Sequence, residues 1–89
     1  MSEQELIEAL ADKEHASWAR WMLYLFSKCR VHPDGRMVIP AELIERWGRQ
    51  VKTPYAELTE QEKQSDRAEV AHILPVIHEY AKSKNEEAL

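Results

Sequence analysis

Apolar and polar positions alternate along most of this chain with helical spacing, and nowhere with a sustained period of two. In the first segment Ile7, Leu10, Ala11, Trp18, Trp21 and Leu25 fall on one stripe. His15, Ala19, Met22, Phe26 and Cys29 fall on the adjacent stripe. This predicts a helix from Ser2 or Glu3 to Cys29, with Ser2 and Glu5 spaced as a capping box. Its apolar surface is wider than the ~100° that one neighbour covers, so it reads as the central rod of a bundle, buried on two sides. A docked partner helix would also explain the surplus.

Val31 to Arg36 is a breaker in which Pro33-Asp34-Gly35 carries turn chemistry. A short extended piece, Met37-Val38-Ile39, follows, and Pro40 suits the first position of a second helix. Leu43, Ile44, Trp47 and Val51 line one face of that helix, which ends around Val51. Lys52 to Leu58 reads as an anchored loop. Thr59 and Glu62 form a second capping-box pattern that opens a third helix, with Val70, Ile73, Leu74 and Ile77 as its core stripe. Pro75 inside that stripe predicts a kink or break near Leu74, then a short final helix from Pro75 to Lys82. The fold class is thus all-α, a small bundle of three to four helices. It forms a single domain over residues 1–82, with residues 83–89 as a frayed polar tail.

Composition narrows the classes. Eighty-nine residues make one domain, and 44% hydrophobic with 31% charged is a globular balance. No apolar run is long enough to span a membrane, and no secretory signal is visible. A single cysteine fits a reducing, cytoplasmic setting. Sixteen acids against twelve bases give a net charge of −4, which argues against a nucleic-acid partner.

Candidate chemistry gathers at two places. Projected backwards, the core stripe of the third helix meets Lys63, Asp66 and Arg67 where apolar residues would be expected. These residues either close the bundle with solvated ion pairs or form a polar pocket for an anionic group near a helix N-terminus, with Tyr55 approaching from the loop. On the first helix His15 and Trp18 share a face, so Trp18 could stack on a planar ligand while His15 hydrogen-bonds. Taken singly, each reads more simply as core. Cys29, His32 and Asp34 have poor zinc spacing, and no metal or cofactor is implied. No nucleophile stands in a recognisable order with a base, and no glycine-rich phosphate loop is present.

His15-x-x-Trp18 in the first helix, together with Pro54-Tyr55, Glu57-Leu58, Lys63 and Asp66-Arg67, resembles the ryanodine-receptor-type (RyR) domain over roughly positions 6 to 77. Leu25, Phe26 and Ser27 stand where that family has an aromatic-glycine turn. The resemblance implies a cytoplasmic, non-catalytic interaction or ligand-sensing module, of the stand-alone kind found in bacteria and phages, for which a nucleotide-derived ligand is one proposal. The leading expectation is therefore a binding module for a small anionic ligand, held by His15, Trp18, Tyr55, Lys63, Asp66 and Arg67 between the first helix and the Pro54–Arg67 segment. The alternative is a protein-interaction or self-assembling adaptor, homo-oligomeric through the first helix, in which the charged cluster is structural.

Overall fold

The structure is a computed structural model and describes residues 1–88. Helix α1 spans Glu3–Lys28. A two-stranded hairpin, β1 (Arg30–Val31) and β2 (Met37–Val38), leads to α2 (Ala41–Lys52). A short 3-10 turn (Tyr55–Glu57) precedes α3 (Glu60–Ala88). The protein is a small, mainly helical bundle.

The capping boxes act where their residues stand. The Ser2 hydroxyl accepts from the Glu5 N–H at 3.1 Å, and the Glu5 carboxylate accepts from the Ser2 N–H at 3.0 Å. Thr59 and Glu62 repeat this exchange at the start of α3, at 3.1 and 3.0 Å. Each box satisfies amide groups that the first helical turn leaves without partners.

Two features of the chain's middle were not foreseen. Arg30–Val31 pairs with Met37–Val38 as an antiparallel hairpin, so the extended piece has a partner. Its turn is closed by the Gly35 N–H donating to the His32 carbonyl at 2.9 Å, with Gly35 at φ +91°, a conformation that favours glycine. Pro40 caps α2 from outside the helix, its carbonyl accepting from Leu43 and Ile44.

At the C-terminal end, α3 is continuous through Pro75, and the break near Leu74 does not occur. A proline there withholds its own donation to the Ala71 carbonyl and crowds that carbonyl with its ring, but Pro75 is exposed, so water can serve the oxygen. On either side of it Ile73, Val76 and Tyr80 turn inward, and their packing holds the helix together. The expected tail is helical as far as Ala88, while Leu89 lies outside the described residues. The Met1 ammonium meets the Ser83 hydroxyl and lies 4.0 Å from Glu87, tying the two termini together.

Contacts between Met1 and Ser83, and between Arg20 and Glu69, show α1 and α3 running antiparallel. They form a two-helix layer, and α2 reaches this layer only at one end. Little of the chain is hidden. Val76, at 7% exposure, and Pro40 are the only buried residues among those described, and α1 has none. The first helix is therefore no two-sided central rod. Its contacts are shared between α3 and the α2 end, and neither side is closed.

Candidate functional site

Three aromatic rings join α2 to the layer. The Trp47 ring from α2 meets Trp21 of α1 edge-on, with centroids 5.3 Å apart, and lies 6.2 Å from Tyr24. Trp21 and Tyr24 are 5.5 Å apart on their own helix. Helical spacing of three places them together, and the T-shaped contact matches positive ring edges to negative faces. Arg49 of α2 adds an ion pair to Glu62 of α3 at 2.9 Å.

Beneath this cluster lies a cleft of about 480 Å³ between α1 and α3. Ser17, Arg20, Trp21 and Tyr24 line it from α1, and Ser65, Asp66 and Glu69 from α3. A second cleft of about 280 Å³ continues under α2, between Trp47, Val51 and Leu58, and shares Trp21, Gln50 and Asp66 with the first. Both are open troughs of mixed polarity. Arg20 Nε donates to Glu69 at 3.1 Å, and that hydrogen bond holds the Glu69 carboxyl below its ordinary range, with a smaller contribution from Ser17. The Arg20 guanidinium is raised for the same reason. With Arg20 spoken for and Asp66 beside it, the cleft does not present free positive charge to an anion.

The six candidate ligand residues fall into three groups. Tyr55, Lys63 and Arg67 form a corner at the start of α3, where the Lys63 ammonium lies 5.8 Å from the centre of the Tyr55 ring. Arg67 donates to Glu60 at 3.1 Å and to Gln64 at 3.4 Å. The Glu60 hydrogen bond, with a smaller contribution from the Tyr55 phenol, raises the Arg67 guanidinium above its usual value and holds Glu60 below its own. Asp66 stands apart, because one residue's rotation turns it from this corner into the clefts. His15 and Trp18 form their own pair on α1, with rings 5.7 Å apart, and line neither cleft. With Arg20 level with Glu69, His15 sits about 10 Å further along the layer than Arg67 at 1.5 Å per residue. The six do not converge on one pocket.

The sequence reading missed Arg20, Tyr24, Gln50 and Glu69 as cleft residues. Trp21 and Trp47 were visible as large aromatics, but not as partners. The positive end of α3 is served by Glu62 of its own capping box, whose carboxyl is lowered chiefly by the Thr59 N–H and further by Arg49. Among the described residues no group of three or more His, Cys, Asp or Glu side chains is placed to hold a metal ion. None of the described helices is long and apolar enough to cross a membrane. No family model, no curated protein and no solved structure matches the chain.

Proposed function

We propose that this protein is a non-catalytic interaction module, completed when another chain covers its helical layer. The observation that carries this reading is the unfilled balance of surface. The accessible area is 7147 Å², whereas a compact chain of this mass exposes about 5,400 Å². The radius of gyration is 18.1 Å, against about 12 Å for a compact chain of 89 residues. Folding alone hides about half of the unfolded chain's surface, while compact proteins of this size hide nearer two thirds. The apolar residues needed for a core are present, but most of them still face solvent.

Solution scattering combined with an apolar dye tests this reading. The expected result is either a multi-chain particle, or a single chain with a radius near 18.1 Å that binds the dye. A folded single chain near 12 Å with no dye binding defeats the reading.

The second reading, a site for a small anionic ligand, is supported by the Tyr55–Lys63–Arg67 corner. Lys63 lies over the exposed Tyr55 ring, and its charge acts only weakly on Glu60, whose main partner is Arg67. A planar anion could stack on Tyr55 and pair with Lys63, while Arg67 would first have to leave Glu60. This reading keeps the RyR-type resemblance of the Pro54–Arg67 segment and gives up the convergence with His15 and Trp18. Thermal-shift measurement with nucleotides and cyclic nucleotides checks it. A ligand at about 100 times its Kd adds about 2.7 kcal/mol, and Lys63→Ala is expected to abolish that shift. No shift with any of them at millimolar concentration counts against an anion site.

A further inference from the structure

The area left open has a definite position. On α1 the half-buried Leu6, Ala9, Leu10, Lys13 and Ala16 mark the side turned to α3, and on α3 Glu69, Ile73, Val76 and Tyr80 mark the side turned to α1. Ile7, Ala11 and Trp18 form an exposed stripe on α1. Val70, Leu74, Ile77 and Ala81 form another on α3. At 100° per residue, the stripe is displaced from its contact side by about 140° on α1 and about 100° on α3, in the same rotational sense. Two antiparallel helices displaced in the same sense present their stripes on the same side of the layer. Ile7, Trp18, Val70, Leu74 and Ile77, each 42–56% exposed, therefore make one apolar face beyond the end that α2 covers.

We infer that a second copy of this chain occupies that face, joining two α1–α3 layers into a two-fold, four-helix core. This rests on the interaction-module reading and names its partner. The area is the first argument. The whole chain exposes about 1,700 Å² more than a compact chain of its mass, and the ~800 Å² that one partner contributes to a stable interface is about half of that surplus, so the face need carry only part of it. Availability is the second. The face is part of the chain itself, so every copy carries the same self-complementary surface. Shape is the third, since a two-helix layer with one apolar side is half of a four-helix bundle, and a two-fold axis lets the same patch cover itself. Glu14 interrupts the α1 stripe and marks its weakest point.

Sedimentation equilibrium from about 1 to about 200 µM tests the inference, with small-angle scattering on the same samples. The expected particle has twice the 10.4 kDa chain mass. Leu74→Glu places an unpaired charge at the centre of the face twice over and should weaken the dimer about a hundredfold or more. Val51→Glu, on α2 and 85% exposed, lies off the face and should leave the dimer unchanged. If Leu74→Glu also loses its helical circular dichroism, Ile7→Glu at the other end of the face supplies the same test. A single-chain mass throughout, or a mass above two chains, overturns the inference. So does a dimer that is sensitive to Val51→Glu and indifferent to Leu74→Glu. A single chain that stays elongated and binds the dye removes only the second copy as partner, whereas a compact chain that binds none removes the interaction reading as well.

Discussion

The two ends of the α1–α3 layer are built from similar residues but are finished differently. At the end near Trp21 the layer receives a lid: Trp47 meets Trp21 and Tyr24, and Arg49 reaches Glu62. At the end near Ile7 and Ile77 no element arrives among the described residues, and the apolar stripes are exposed. Both ends have helices with apolar stripes. What separates them is the length of the connection, because the hairpin and α2 are spent at one end before α3 begins. A stripe of apolar residues thus states a demand for burial, while topology decides where within one chain that demand is met.

Several changes sharpen this contrast. The largest effect is expected at the lidded end, where Trp47→Ala removes the ring that joins α2 to the layer. Trp47 is half-buried, so the loss should fall somewhat below the 3–5 kcal/mol of a fully buried aromatic, at about 2–3 kcal/mol. Hydrogen exchange should accelerate in α2 well before α1 and α3. Equal acceleration in all three helices would remove the distinction between the ends.

Pro75 belongs to the open end. Pro75→Ala restores a helical amide at an exposed position of α3, and should stabilise the protein by about 1–2 kcal/mol after allowing for the freer unfolded chain. Thermal unfolding reads this directly, and a lower melting temperature would show that the proline fits a bend the packing requires.

The smallest effect is electrostatic. Glu60, Glu62 and Glu69 are held below their ordinary range by hydrogen bonds and cations of the fold. A carboxyl depressed in the folded state contributes stability above its unfolded pKa and loses it as pH falls through the folded value. The protein should therefore keep this contribution at neutral pH and lose it gradually below about pH 4.3. These groups are solvent-exposed, so the slope should be shallow and should flatten further in high salt. Denaturant unfolding across acid pH measures it, and a gain of stability on acidification would contradict these pairings.

Much of the fold was legible because it is local. Ser2 with Glu5 and Thr59 with Glu62 mark helix starts, since the cap and its partner lie three residues apart and need nothing else. The Pro33-Asp34-Gly35 turn was legible for the same reason. The hairpin was not, because its strands are two residues each, too short to show an alternating pattern. Pro75 misled in the opposite direction. Its local rule is sound, but one lost hydrogen bond on an exposed edge is outweighed by the packing of Ile73, Val76 and Tyr80 around it.

The candidate site shows the same division. Spacing correctly placed Lys63 and Arg67 on one edge of α3, and His15 beside Trp18 on α1. Spacing says nothing of how two helices slide and rotate against each other. That relation sent Asp66 into the clefts and left His15 and Trp18 about 10 Å along the layer from Arg67. The sequence by itself determined the helices, their caps and the excess of apolar surface, because each depends on neighbours within a few residues. Only the tertiary structure decided which part of that surface is covered and which charged residues meet, because both follow from the antiparallel register of α1 and α3 and the short reach of α2.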